Sequence, residues 1–342
     1  MEELGRVDLR GLQDPGSPGW EEARAAVAAS MLAHGCVLVV AGVPAPELRD
    51  ALFGRVLPDL FVLPRDVKLR NAPGPPPNTG YFCHGVQESA RINHADDADS
   101  LRAFADLLWP DAAGDKPLFC EAVAAAEREM QRLDGLVVRM VLESLGLPAE
   151  RVVAAPPLAD ANRIVRLSHY AARPGPAADD GGGVLSMAAH YDYSFITVLM
   201  QHDVEGLEVL ARDGRWVAVP PERDTCAVIA GELLTVMTNG RVPACLHRVR
   251  TPSGRERFLA LMSTLPAGTS VVVGPLNELV DGAHPRLYRP VDYAAYARFK
   301  YSDDGRELGN RTLEAFCGVV NKEGAGDNDG VEVEQQGIVA AG

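Results

Sequence analysis

The sequence lacks the marks of disulfide-rich and membrane-spanning proteins. Its six cysteines are scattered along 342 residues and none lies in a CxxC pair, which argues against a zinc knuckle or a disulfide framework. Apolar runs such as Cys36–Val40 are far too short to cross a bilayer. The first residues, Met1–Leu4, are acidic and do not resemble a secretory signal. These absences predict a reduced, soluble, cytoplasmic protein with no membrane partner.

Positive charge is also scarce. Lys and Arg total 33 against 47 Asp and Glu, and the formal net charge is −14. Such a chain has no general electrostatic attraction for nucleic acid. Hydrophobic residues make up 47% of the sequence and charged residues 23%, which is typical of a globular protein with a sizeable core. We expect a small molecule as its substrate, no nucleic-acid partner and a monomeric state.

The character of the sequence changes near residue 163. Before this point helical patterns dominate, including Trp20–His34, which Gly35 ends, and Pro117–Leu145. After it, short β-branched and aromatic runs alternate with turn residues, which is typical of a β-sandwich or jelly roll. The predicted strands are Arg163–Ala171, Phe195–Leu199, Gly206–Leu210, Trp216–Val219, Cys226–Ile229, Leu246–Val249, Phe258–Met262 and Ser270–Val273. The predicted regions are a mostly helical part at 1–150, a β core at 151–300, a helix at 301–321 and a disordered tail at 322–342.

Two histidines and one aspartate are the candidate metal ligands. His190 and Asp192 form a His-x-Asp pair, and alternate residues of an extended strand point to the same side. With His247 they supply two imidazoles and one carboxylate. This is the ligand set of non-haem Fe(II) oxygenases, which leaves positions open for substrates and O2.

By itself the His-x-Asp pair is weak evidence. Eight His and 47 acidic residues in 342 give about one His-x-acid pair by chance, and His94-Ala95-Asp96 is a second one. The two pairs differ in context, because His94 lies in a polar run whereas His190 precedes the apolar strand pattern Phe195–Leu199. Context favours His190 and Asp192 as ligands and a solvated loop for His94.

Arg257 opens another apolar strand pattern, Phe258–Met262. An arginine at this place must face solvent, pair with an acid or bind a carboxylate ligand. Spacing alone leaves these alternatives open, and a surface position is the commonest of the three.

The order of short motifs from Arg166 to Pro266 resembles the plant-type Fe(II)/2-oxoglutarate-dependent dioxygenases, the isopenicillin N synthase-like family. The shared motifs in this part are Gly206–Leu210, Asp213–Val217, Ala230–Glu232, Thr238–Arg241 and Leu246–Val249. Those in the N-terminal part are Val7–Leu9, Gly35–Pro44, and Leu63–Asn71 before Gly80-Tyr81. The likeness covers roughly residues 5 to 300. Ser194–Leu199 and Gly206–Val217 further resemble the branch with auxin-oxidising and alkenyl-glucosinolate-forming dioxygenases.

The resemblance implies a mainly β fold, a double-stranded β-helix or jelly-roll core with flanking helices. By position it implies that His190, Asp192 and His247 bind Fe(II), and that Arg257 binds the distal carboxylate of 2-oxoglutarate with Tyr170 as a further contact. It implies an enzyme that uses Fe(II), 2-oxoglutarate and O2, with ascorbate as a candidate reductant. The substrate would be a small plant hormone or specialised metabolite that is hydroxylated or otherwise oxidised. No catalytic residue beyond the metal ligands is predicted.

Three positions depart from the family pattern, and none of them is a metal ligand. Leu259 stands where the family has a serine that shares the 2-oxoglutarate carboxylate. Ser168–Ala171 replaces the family's Asn-Tyr-Tyr-Pro, and Tyr191 stands between the first two ligands in place of Thr or Ser. Leu259 keeps two alternatives open: an iron oxidase that does not use 2-oxoglutarate, and a catalytically inactive member that holds a small molecule.

Replacing both His94 and Asp96 by Ala is expected to leave the iron content of the protein unchanged, because their polar run lies away from the strand patterns of the β core. Elemental analysis of the double variant beside the parent measures this. A loss of iron would show that the other His-x-Asp pair binds the metal.

Overall fold

The structure is a computed structural model that describes residues 4–42, 45–72, 80–110, 115–153, 161–172, 183–268 and 270–319. The tail predicted at 322–342 lies outside these ranges. Among the residues they contain, no helix is both long enough and apolar enough to cross a membrane.

Helices predominate before β5, and strands predominate from β5 to β12. The α-helices are α1 Trp20–His34, α2 Pro46–Ala51, α3 Leu57–Phe61, α4 Arg65–Lys68, α5 Ala98–Leu108, α6 Lys116–Ser144, α7 Ala149–Val153, α8 Glu232–Met237, α9 Tyr293–Lys300, α10 Asp303–Leu308 and α11 Thr312–Cys317. A π-helical turn, Leu52–Val56, joins α2 to α3, and 3₁₀ turns cover Asn277–Leu279 and Gly309–Arg311. The strands are β1 Arg6–Asp8, β2 Cys36–Val40, β3 Tyr81–His84, β4 Gln87–Asn93, β5 Asn162–Tyr170, β6 Val184–His190, β7 Ile196–Gln201, β8 Leu207–Leu210, β9 Trp216–Ala218, β10 Thr225–Ala230, β11 His247–Thr251, β12 Arg257–Leu265, β13 Val272–Val273 and β14 Val291–Asp292.

Two sheets form the core. The major sheet has the order β1-β2-β10-β7-β12-β5-β4-β3, and the minor sheet has the order β6-β11-β8-β9. From β5 to β12 the chain passes back and forth between the two sheets through antiparallel pairings, which is the arrangement of a jelly roll. The predicted mainly β, jelly-roll core with flanking helices is therefore confirmed.

Helices cover the outer face of the major sheet. The 29-residue α6 packs its apolar side against α1, β7 and β12. Helix α1 ends at Gly35, whose φ is +63°, and a Cβ at this position would lie 2.2 Å from the carbonyl oxygen of Pro243. Only glycine fits there. Gly35 therefore ends α1 after His34, as predicted, and allows the chain to continue directly into β2.

A second apolar cluster fills the space between the two sheets. The major sheet contributes Leu199, Ala227 and Leu259 to it, and the minor sheet contributes Val209 and Val249. We call the side of the major sheet that faces this cluster the inner face. Because strand side chains alternate, every second residue of β4, β5, β7 and β12 lies on the inner face.

The sequence patterns predicted α1 and α6 to within one residue at each end and most strands after residue 163. They missed β3, β4, β6 and β14, and the predicted helix at 301–321 consists of α10, a 3₁₀ turn and α11. The division at residue 150 stays a prediction. In the structure, β1 to β4 come from the first 150 residues and belong to the major sheet.

A carboxylate is buried under the outer face. Asp134 of α6 accepts a hydrogen bond from the Thr264 hydroxyl at 3.0 Å, and Nε of Arg163 lies 3.7 Å away. Its Oδ1 has no hydrogen-bond partner among the described residues. Burial raises the pKa of Asp134 to about 6, although Arg163 and Thr264 act in the opposite direction.

Asp134→Asn is expected to stabilise the protein at pH 7 by up to about 3 kcal/mol. The raised pKa means that the folded state holds this proton more tightly than the unfolded chain, so stability falls as the pH rises from about 4 to 6. Asparagine removes the charge and keeps an acceptor for Thr264. Urea unfolding at pH 5 and pH 7 measures the effect, which should be smaller at pH 5. Asp59→Asn, at an exposed position, is the control, and a lower stability of Asp134→Asn at pH 7 would contradict the argument.

Candidate metal and cosubstrate site

Strand ends bring the predicted metal ligands together. His190 is the last residue of β6, and Asp192 lies two residues later, before β7 begins. His247 is the first residue of β11 and pairs directly with His190. The β6–β11 register thus places both imidazoles at one end of the minor sheet, and the turn after β6 adds the carboxylate.

The ligand atoms are close enough to share one ion. Nε2 of His190 lies 3.8 Å from Oδ1 of Asp192, and Nε2 of His247 lies 4.0 Å from the same oxygen. All three ligand atoms lie within 4.8 Å of one another. Two atoms that each lie about 2.0–2.2 Å from one ion are at most about 4.4 Å apart. Within the described ranges, no other group of three His, Cys, Asp or Glu side chains is spaced in this way.

Each imidazole is oriented through its other nitrogen. Nδ1 of His190 lies 2.9 Å from the carbonyl oxygen of Ala188, and Nδ1 of His247 lies 3.1 Å from that of Cys245. Because a carbonyl oxygen only accepts, each Nδ1 carries the hydrogen and each Nε2 keeps its lone pair for a metal.

The carboxylate is held by a hydroxyl and by the backbone. Oγ1 of Thr197 donates to Oδ2 of Asp192 at 2.6 Å, which leaves Oδ1 on the side of the histidines. The N–H of Glu232 donates to the carbonyl oxygen of Asp192 at 2.8 Å. This close approach requires Gly231, since a Cβ there would lie 2.1 Å from the carbonyl oxygen of Ser194.

The electrostatics of His190 and Asp192 favour the unprotonated forms that a metal ion needs. Burial and, second to it, the neighbouring His247 together lower the pKa of His190 to about 4. Burial opposes the ionisation of Asp192, but His247, His190 and the Thr197 hydrogen bond outweigh it, so the pKa of Asp192 is lowered. The neutral His190 imidazole and the ionised Asp192 carboxylate are thus the stable forms near pH 7.

The predicted cosubstrate ligand, Arg257, is the first residue of β12 and is 1% exposed. Its Nε donates to the carbonyl oxygen of Val204 at 3.2 Å, and its Nη2 donates to Oε1 of Gln201 at 2.8 Å. The guanidinium lies 5.3 Å from the centre of the Tyr170 ring. Nη1 is buried and has no hydrogen-bond partner among the described residues. Arg257 neither faces solvent nor pairs with a described acid, and its spare donor suits a carboxylate ligand.

Gln201 lies beside the position where the family serine is missing. Leu259 of β12 pairs directly with Gln201 of β7, so the two side chains share the inner face. Both are buried. The Gln201 amide accepts from Arg257 and donates to the carbonyl oxygen of Val219 at 3.3 Å. It therefore supplies a polar group next to the guanidinium where Leu259 has none.

The second His-x-Asp pair is separate from the triad. His94 follows β4 with a φ of +53°, and Asp96 lies in the turn before α5. Both are exposed, and neither belongs to the group of side chains that could share an ion.

Comparisons with known proteins agree with this geometry. Residues 161–261 match the family described as the 2OG-Fe(II) oxygenase superfamily. AOP1 of Arabidopsis thaliana, named a probable 2-oxoglutarate-dependent dioxygenase, is 33% identical over 304 residues, which cover 89% of this chain and 92% of that protein. The chain belongs to the 2OG-Fe(II) oxygenase superfamily.

Solved structures show the same fold. The rice dioxygenase for auxin oxidation superposes with a TM-score of 0.75 at 30% identity and covers 92% of this chain and 100% of its own. The Arabidopsis thaliana dioxygenase for auxin oxidation 1, solved in complex with 2-oxoglutarate, gives a TM-score of 0.69 at 22% identity over 83% of this chain and 100% of its own. The predicted family, its class as an enzyme and its use of Fe(II) and 2-oxoglutarate are therefore confirmed. The role of each site residue stays a prediction.

Two residues of the site were missed from the sequence. Thr197, which holds Asp192, and Gln201, which holds Arg257, lie on β7 on either side of Leu199. Thr197 lies two residues before Leu199, and Gln201 lies two residues after it. Alternate residues of a strand share a face, so this spacing is the signal that would have placed both polar side chains on the inner face.

Asp192→Ala is expected to abolish tight metal binding while the fold survives, because this side chain is a ligand and contributes little to either apolar cluster. Thr197→Val should weaken metal binding by about 10–100-fold, since the carboxylate loses the hydroxyl that orients it. Anaerobic titration with Fe(II) or Mn(II), beside circular dichroism, measures both effects.

Thr225→Val is the matched control, because Thr225 is a buried β10 threonine that bonds Glu222 away from the triad. Parent-like metal affinity in Asp192→Ala would exclude it as a ligand.

Proposed function

We propose that this protein hydroxylates or otherwise oxidises a small organic molecule, a plant hormone or specialised metabolite, with Fe(II), 2-oxoglutarate and O2. The observation that carries the proposal is the pairing of a two-histidine, one-carboxylate ligand set with a buried guanidinium that has a spare donor. The first suits Fe(II), and the second suits the far carboxylate of a keto-acid.

Each residue has a distinct part in this proposal. His190, Asp192 and His247 hold the iron on one side and leave its other positions open. Arg257 binds the distal carboxylate of 2-oxoglutarate through Nη1, while Gln201 and Tyr170 fix its guanidinium. When bound, iron and 2-oxoglutarate would supply the oxidising chemistry, in which 2-oxoglutarate loses CO2, takes up one oxygen atom of O2 and becomes succinate.

The remaining parts of the proposal concern the substrate and its setting. The rice relative is named for auxin oxidation, which supports a small organic acid as the substrate. We further propose that the protein is a cytoplasmic monomer of specialised metabolism, without nucleic-acid or membrane partners, and that ascorbate keeps the iron reduced. The net charge of −14 supports the absence of a nucleic-acid partner.

The decisive experiment measures O2 uptake and succinate release together, with Fe(II), 2-oxoglutarate and a set of small plant acids. Succinate release coupled to O2 uptake supports the proposal. O2 uptake without succinate would indicate an iron oxidase with another electron donor. Neither signal, with a small molecule retained on the protein, would indicate an inactive binding member.

Arg257→Ala is expected to eliminate 2-oxoglutarate turnover, because the carboxylate loses its charged partner. Leu259→Ser should keep turnover and tighten 2-oxoglutarate, since one added hydrogen bond to a charged group is worth about 1.5–3 kcal/mol, or roughly ten- to a hundredfold in affinity. Anaerobic titration of the visible absorption band of the Fe(II)–2-oxoglutarate complex gives both affinities.

Arg255→Ala is the matched control, because this neighbouring arginine is 53% exposed and pairs with Glu205 at the surface. If Arg257→Ala binds 2-oxoglutarate as well as the parent, the carboxylate site lies elsewhere. The oxidase or the inactive binding protein would then be preferred.

A further inference from the structure

Arg49 of α2 is a buried cation to which the proposed function gives no part. Its side chain is 3% exposed. Nη1 donates to the carbonyl oxygen of Gln201 at 3.1 Å and to that of Arg223 at 3.4 Å. Nη2 donates to Oδ1 of Asp203 at 2.7 Å. Arg49 therefore holds the end of β7 and the residues that follow it, which we call the β7–β8 turn (residues 202–206).

The same segment also holds the cosubstrate arginine. Arg257 donates through Nη2 to the side-chain oxygen of Gln201 and through Nε to the carbonyl oxygen of Val204. Gln201 thus accepts from two buried arginines, through its backbone from Arg49 and through its side chain from Arg257. Residues 203–205 lie outside both β7 and β8, so side-chain contacts contribute to fixing their position.

Aromatic packing adds to this attachment. Phe53, in the π-helical turn after α2, stacks on the imidazole of His202 with ring centres 5.0 Å apart. The Arg49 guanidinium lies 5.3 Å from the centre of the same Phe53 ring, a favourable position for a cation that is removed from water. The segment around α2 therefore contacts the β7–β8 turn through a charged and an aromatic side chain.

The contacts of Arg49 fit a role in geometry better than a role in stability. Its acid partner, Asp203, is 43% exposed, so water screens this ion pair, and Nε of Arg49 is buried without a hydrogen-bond partner among the described residues. A buried charge compensated in this way is weak evidence for stability, because its desolvation is costly. Arg255 also donates to the carbonyl oxygen of Asp203, at 3.3 Å, but it is exposed, and water can replace that bond.

We propose that Arg49 is a positioning residue for 2-oxoglutarate, which fixes Gln201 and the β7–β8 turn so that they hold the Arg257 guanidinium with Nη1 available to the distal carboxylate. Two parallel hydrogen bonds to a carboxylate require one orientation of the guanidinium plane. Gln201 and Val204 set that orientation only if their own backbone is held. This inference rests on the proposed function and adds a residue from the N-terminal helices that sets cosubstrate affinity.

The first test compares Arg49→Gln with the parent in the full chain under anaerobic conditions. Titration of the visible absorption band of the Fe(II)–2-oxoglutarate complex should show about three- to thirtyfold weaker 2-oxoglutarate binding. Fe(II) affinity and the position of the band at saturation should stay unchanged, because the metal ligands are untouched. Arg49→Lys, which keeps the charge without the planar fork, should restore part of the lost affinity.

Arg139→Gln is the matched control for a general loss of stability. Arg139 of α6 also pairs with a carboxylate, that of Glu143 at 2.8 Å, and lies 5.7 Å from the centre of the Trp20 ring. None of its described hydrogen bonds or ion pairs reaches the β7–β8 turn. Urea unfolding gives the stability of both variants, and only Arg49→Gln is expected to weaken 2-oxoglutarate binding.

Asp203→Asn is the second variant if Arg49→Gln does not fold. It keeps the shape of the side chain and removes only the charge that Nη2 of Arg49 contacts. A smaller loss of 2-oxoglutarate affinity is expected, again without a change in Fe(II) affinity.

A double-mutant cycle with Gln201→Met separates positioning from an independent effect. Methionine removes the side-chain oxygen that Arg257 contacts, so Arg49→Gln should cause a smaller fold-change in 2-oxoglutarate affinity in this background than in the parent. Equal fold-changes in both backgrounds, or parent-like 2-oxoglutarate affinity in both Arg49→Gln and Asp203→Asn, overturn the inference. If no absorption band forms with 2-oxoglutarate in the parent, the proposed function itself fails.

Discussion

The antiparallel pairing of β12 with β5 and β7 is the constraint on which the rest of the site depends. The register of these strands places Arg257 opposite Tyr170 at one end of the inner face and Ser263 opposite Thr197 at the other. A slip of one residue along β12 would turn Arg257 and Ser263 to the opposite face, away from Tyr170 and Thr197. Backbone hydrogen bonds therefore set the spacing between the cosubstrate arginine and the residues that orient the metal ligands.

The outer face of the major sheet is mainly apolar, whereas the inner face also carries polar side chains of the candidate site. The outer face carries the larger apolar cluster, in which side chains such as Trp20 of α1 and Leu133 of α6 are buried. Nη1 of Arg257 is buried on the inner face without a partner among the described residues, and such a group costs about 1–3 kcal/mol, so the inner face adds less to stability than an apolar one. The helices on the outer face offset this cost, and the inner face stays free to carry polar groups at chosen positions.

The sequence predicted those parts whose local pattern and tertiary role agree. Helix α1 ends at a glycine, the β strands after residue 163 are short and apolar, and the His-x-Asp pair precedes one of them. Strand β4 was missed because Gln87–Asn93 is mostly polar, and its only reason to be extended is its pairing with β5 and β3. The sequence did not decide whether Arg257 faces solvent, pairs with an acid or binds a ligand. Its burial depends on the neighbouring strands β5 and β7, which the local sequence pattern does not reveal.

The protein is acidic overall, but the positive charge of Arg257 is buried in its interior. This separation explains how the protein can bind an anion. The net charge of −14 repels anions at long range, but surface charges are screened over about 8 Å at physiological ionic strength. The guanidinium of Arg257 lies in the low-dielectric interior, where its attraction for a carboxylate is far less screened. Affinity for a keto-acid is thus decided by a few buried contacts rather than by the overall field. Because those contacts are fixed by strand register, the acidic surface is free to vary without changing what the interior binds.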